Sequence, residues 1–109
     1  MIISFSPQAV NENLETRTAR CVVDLNSYGA VIGVEIMNLS ELTNAATIDF
    51  MKPTITDSGP GLRCSYDVET DMFYVRLSNE RSVNQESRNC RFVKGNDGRL
   101  ILIEVDPTA

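Results

Sequence analysis

Two glutamates hold the positions where chemistry is first to be sought. Glu35 and Glu104 each stand inside an otherwise apolar run, Val31 to Met37 and Leu100 to Val105. A carboxylate withdrawn from water has its pKa raised, and two of them facing each other across an axis could do acid–base work. The plainer reading is that each reaches solvent at a strand end, or pairs with Arg76 or Arg99, since structural ion pairs also perturb carboxylates. Tyr74 and Arg76 lie opposite Phe73, Val75 and Leu77 on their strand, and aromatic side chains and arginine dominate binding hot spots. Glu35, Glu104, Tyr74 and Arg76 are therefore the ligand or interface candidates, and no residue is assigned a catalytic role.

Residue types argue against other chemistries. The chain has no histidine, which removes the commonest general base and the middle member of most nucleophilic triads. Its three cysteines, Cys21, Cys64 and Cys90, form no Cys-x-x-Cys pair, so neither a metal nor another cofactor is expected. Cys21 and Cys90 alternate with apolar neighbours, while the adjacent Arg20 and Arg91 point to the opposite face of their strands. Both cysteines thus read as buried apolar packing rather than reactive thiols. Asp67, Glu69 and Asp71 alternate like the start of a calcium loop, but Met72 and Ser78 stand where glycine and glutamate are required. Turn chemistry accounts for these acids instead. A net charge of −5, with arginines interleaved among acids, argues against nucleic acid. No window is long and apolar enough for a membrane span, and Met1 to Phe5 lacks the charged start of a signal peptide. The expectation is a cytoplasmic protein with neither nucleic acid nor membrane as partner.

The elements that must position these residues are repeated. Arg20-Cys21-Val22-Val23-Asp24-Leu25, a turn closing on Gly29, and Ala30 to Ile36 form one hairpin. Asn89-Cys90-Arg91-Phe92-Val93-Lys94, a turn closing on Gly98, and Arg99 to Val105 form its second copy 69 residues later. An internal repeat decides architecture before any single residue does. Residues 1–5 read as a short strand and 6–18 as a polar connecting loop. Ser40 is placed to cap a helix over about 39–51, with Leu39, Leu42, Ala46 and Phe50 (or Ile48) as its apolar stripe. Residues 53–61 have the composition of a linker. Leu62 to Tyr66 and Met72 to Leu77 are strands, and Ser78 to Arg88 is a polar crossover. These elements predict an α+β fold: a mostly antiparallel sheet built from two repeated hairpins in pseudo-twofold arrangement, with one main helix. The 109 residues form one domain of two repeats, 1–52 and 62–109, because neither half can bury its sheet alone.

The second copy also carries a family resemblance. Tyr66-Asp67-x-Glu69-x-Asp71-x-x-Tyr74-Val75-Arg76-Leu77-Ser78, followed by Asp97-Gly98-Arg99-x-x-x-Ile103-Glu104-Val105, resembles a prokaryotic domain of unknown function, the family numbered 2283. The likeness covers residues 64–105, and the first copy shares it best in Gly29-x-x-x-Gly33-Val34-Glu35-Ile36. Leu102 stands where the family tends to have glycine. The resemblance implies a small sheet with a helix and an accessory or partner-binding role, and it brings no catalytic residues.

The return strands are apolar at nearly every position, and one helix is too little cover for both, which predicts a homodimer or higher oligomer. The preferred function is a non-catalytic interaction or regulatory module, antitoxin-like, with a small protein partner. The alternative is a small-molecule-binding protein or minor enzyme, with a pocket at the oligomer or pseudo-twofold interface. A concave, partly apolar cavity holding a carboxylate would mark the second of these.

Overall fold

The first hairpin closes on its own turn chemistry. Asn26 Oδ1 accepts the N–H groups of Tyr28 and Ala30, each at 2.9 Å, and Gly29 takes the left-handed φ of 80° that a side chain would resist. This turn joins β2 (Glu15–Leu25) to β3 (Val31–Ile36). The computed structural model describes residues 1–5, 14–42, 54–55, 59–61, 63–95 and 100–107. Within them lie also β1 (Ile2–Ser4), the helical turn α1 (Leu39–Leu42), and the two-residue strands β4 (Thr54–Ile55) and β5 (Gly59–Pro60). β6 (Arg63–Asp67), β7 (Met72–Arg76), β8 (Asn84–Lys94) and β9 (Leu100–Val105) follow. All nine strands join one antiparallel sheet in the order β5-β4-β1-β9-β8-β2-β3-β7-β6. The turn Asn96 to Gly98 lies outside the described residues.

That order is symmetric about the seam between β8 and β2, with β5 alone lacking a counterpart among the described strands. β2 and β8 pair along eleven residues, with Arg20 opposite Asn89 at the midpoint, and these two residues are themselves 69 apart. Val22 faces Glu35 across the first hairpin and Arg91 faces Glu104 across the second. The ladder slips between Asp24 and Leu25 in one copy and between Val93 and Lys94 in the other, so even the irregularity recurs at the same place. β7 flanks β3 as β1 flanks β9: Leu77 N–H donates to Ile32 O at 3.0 Å, and Phe5 N–H to Ile101 O at 2.8 Å. β4, within the expected linker, pairs with β1 as β6 pairs with β7.

The ends of the loop expected over 6–18 and of the crossover expected over 78–88 are strand, positions 6–13 lying outside the described residues. Residues 15–18 and 84–88 belong to β2 and β8. Each polar half-strand takes its backbone hydrogen bonds from the apolar half of the other, Asn84 to Arg88 lying along Cys21 to Leu25, so partner supply overrides weak local propensity.

The α+β expectation is overturned. Among the described residues regular structure is almost all antiparallel strand, with one four-residue helix, and the seven longer strands curl into a half-barrel. The helix expected over 39–51 is a single turn, Leu39–Leu42; positions 43–51 of that expectation lie outside the described residues. The sheet curls over its own concave face instead of lying under a helix. Phe73 from one side and Phe5 from the other meet with ring centroids 5.7 Å apart, and Val23, Val34, Ile36, Phe92 and Ile103 fill the concave side at 0 or 1% exposure. Leu39 is fully buried against them. The cap of α1 comes from the β6–β7 turn: the Ser40 N–H and hydroxyl both donate to the Asp71 carboxylate, which also accepts the Tyr66 hydroxyl. Ser40 thus donates to the cap it was expected to supply. Hydrogen bonds from Ser40 and Tyr66 hold the Asp71 carboxyl below its ordinary range. Among the described residues, no helix is long and apolar enough to cross a membrane.

Cys21 and Cys90 are buried at 2% exposure each, but they are more than packing. They lie diagonally across β2 and β8 on the concave face with Cα atoms 6.2 Å apart, and they form a disulfide. Residues equivalent by repeat meet at the axis, an outcome that spacing within one hairpin does not reveal.

Candidate functional site

The convex face of the sheet carries the polar chemistry. In the half containing β2, β3, β7 and β6, Asp24 is only 6% exposed. It accepts the Tyr74 hydroxyl at 2.9 Å and Gln85 Nε2 at 2.7 Å. Gly33 faces Asp24 on one side and Arg76 on the other. Its missing side chain is what lets the Tyr74 phenol lie down, because a Cβ there would run into the tyrosine hydroxyl. Burial, and then the neighbouring Asp24 carboxylate, push the Tyr74 phenol up to about 12.

Glu35 lies next on this face, opposite Val22 on β2 and Tyr74 on β7. Its carboxyl is raised from its ordinary value by desolvation first and by repulsion from Asp24 second. No hydrogen bond or ion pair reaches this carboxylate from the described residues. Beside it opens a cleft of about 350 Å³. Val22, Met37 and Leu42 supply apolar wall, while Arg20, Glu35 and Glu41 supply charge. The Arg20 guanidinium is turned toward Asn89, donating to its Oδ1 at 2.8 Å. That bond to a neutral amide orients the charge without neutralising it, so one guanidinium and two carboxylates leave the cleft net negative. Such a space, mostly apolar with a few polar groups, can take a small molecule.

The four candidates read from the sequence do not form one site. Glu35, Tyr74 and Arg76 share the convex face of one half. Glu104 lies in the other, three strand spacings away in the sheet order, roughly 14 Å. It pairs with Arg91 at 3.2 Å and not with Arg76, which lies in the other half; Arg99 lies outside the described residues. The functional residues not singled out from sequence are Val22, Arg20 and Glu41 in the cleft, and Asp24 and Gly33 beneath Tyr74. The glycine in an apolar strand and the mismatch of Val22 with Arg91 in the aligned repeats were the available signals. The chain matches no family model, no curated protein and no solved structure.

Proposed function

We propose that this chain is a non-catalytic small-molecule-binding protein whose site is the cleft over β2 and β3. One observation carries the reading: concave, largely apolar walls that include Glu35, a partly desolvated carboxylate with which no described residue makes a hydrogen bond or ion pair. A docking surface for a folded partner is flatter and leaves no such group unpaired. The test is a thermal-shift screen of metabolite-sized compounds on the intact chain. A ligand raises Tm by mass action, and Val22→Phe, which fills the cleft, removes that rise. A screen without hits, or hits that survive the filling, would overturn the proposal.

A second reading, docking of a small protein or another copy by strand addition, is supported by β6. It ends the order of the described strands, and an edge strand is a template for a further one. Light scattering across a concentration series checks it, a constant monomer mass speaking against it. The Cys21–Cys90 bridge bears on where either activity takes place. Closed disulfides persist in oxidising compartments and are rare in the cytoplasm. The intact mass of chain drawn from its native cell, lighter by two hydrogens when bridged, separates the two compartments.

A further inference from the structure

The two repeats act as each other's control. Glu104 and Glu35 are equivalent, and each has a direct cross-strand partner on the preceding strand of its hairpin. For Glu104 that partner is Arg91, whose Nη2 lies 3.2 Å from the carboxylate. For Glu35 it is Val22. The exchange removes the guanidinium and leaves an apolar wall, and the cleft lies where the guanidinium would have been, lined by Val22 and Glu35 together. One repeat therefore displays, within the same molecule, a cation seated on the carboxylate that the other repeat leaves bare.

We infer that the cleft takes a small organic cation, a guanidinium or primary ammonium on a short apolar body, with its charge on the Glu35 carboxylate where the other repeat seats Arg91. The inference rests on the small-molecule-binding reading and names its ligand class. The apolar body lies along Val22, Met37 and Leu42. Glu41 adds a second negative group, so the cleft stays net negative beside Arg20, and Arg20 is directed toward Asn89 and makes no ion pair with Glu35 among the described residues. A charge-assisted hydrogen bond to a partly desolvated carboxylate is stronger than a neutral one, so the cleft discriminates against neutral and anionic molecules of the same shape.

Titration of the ¹⁵N-labelled full chain with hexylguanidinium, hexylammonium, hexanol and hexanoate tests this. The two cations should shift the amides of Val22, Glu35 and Met37 with millimolar midpoints, as suits ligands of so few atoms, while hexanol and hexanoate should not. Glu35→Gln should weaken the cations by about tenfold or more. Val22→Arg should abolish their binding by restoring the arginine of the other repeat. Preserved amide dispersion shows that each variant folds, and the four probes on the unaltered chain decide the matter if one does not. Binding of hexanol or hexanoate in place of the cations would overturn the ligand class while leaving the cleft a binding site. Undiminished cation binding to Glu35→Gln would overturn the seat assigned to the charge. Silence of all four probes at these amides would overturn both the inference and the binding reading beneath it.

Discussion

The two halves of the sheet share a backbone and a core but differ on the convex face. Their ladders have the same register, the same slip and the same flanking strands. Their concave faces are both closed by valine, isoleucine and phenylalanine. Outside, one half carries Val93, Leu102 and the Arg91–Glu104 pair. The other puts Asp24, Gly33 and the unpaired Val22–Glu35 at the matching places. Core positions tolerate little variation because packing there is dense, whereas the solvent face can diverge at small cost. Symmetry here belongs to the fold, and its breaking marks the site.

The bridge at the axis belongs to both halves equally, and its loss should have the largest effect. Closing a loop across 69 residues removes denatured-state entropy worth about 4 kcal/mol in the chain-entropy treatment. Urea unfolding of Cys21→Ser/Cys90→Ser should show that loss. Dithiothreitol should bring the unaltered chain down to the variant. An unchanged midpoint would mean that the β2–β8 ladder holds the halves together without the sulfurs.

Exchanging the residues that differ between the halves should come next in size. Gly33→Leu installs the residue of the Leu102 half. It drives Tyr74 off the strand and deprives the buried Asp24 of one of its two donors, at about 3 kcal/mol for overpacking and a lost hydrogen bond to a charged group. Leu102→Gly, the reciprocal change on a half-exposed position, should cost about 1 to 2 kcal/mol in side-chain burial and strand entropy. Equal losses in denaturant melts would show that Gly33 does not exist to admit Tyr74.

Much of the shared half of this comparison was legible in the chain, and much of the divergent half was not. The hairpins could be read because strand alternation and turn chemistry are local: Cys21, Val23 and Leu25 do share the buried face, and Asn26 to Gly29 does form the turn. The helix was overcalled because an apolar stripe shows that a segment seeks cover, but not whether sheet curvature has already supplied it. The polar ends of β2 and β8 were missed because their strand character comes from a partner about seventy residues away. Glu35 could be nominated from its apolar setting. Its separation from Glu104 depends on which strands come between the two return strands, and no local pattern carries that order.

A smaller effect separates the two glutamates by pH. The Glu35 carboxyl has its folded pKa raised above the unfolded value, so the folded state binds the proton more tightly. Its contribution is therefore most favourable below about 4.5 and is lost as pH rises through the raised folded value. Glu35→Gln should remove that decline and leave the variant slightly more stable than the parent at neutral pH, read from Tm across pH 4 to 8. An unaltered slope in Glu35→Gln would place the proton uptake elsewhere. In the alkaline range stability should fall again between about pH 10 and 12, as the unfolded Tyr74 phenol ionises before the folded one.

The smallest change in stability is expected where the comparison is rebuilt in reverse. Arg91→Val gives the Glu104 half the valine–glutamate pair of its counterpart. The Arg91 and Glu104 side chains are 48% and 38% exposed, so removing their ion pair should cost about 0.5 kcal/mol or less, as for exposed pairs generally. A loss well above 1 kcal/mol would mean that this pair is structural, and that the bare Glu35 is a tolerated defect rather than a seat for a ligand. The informative readout is binding. With its guanidinium removed, Glu104 becomes the second bare carboxylate on the convex face, and hexylguanidinium should begin to shift its amide. That new response should stay weaker than the one at Glu35, because the exposed Asp106 and Pro107 stand where the other half places the Met37 wall. If both glutamates respond equally, the carboxylate alone selects the cation; if only Glu35 responds, the cleft walls do.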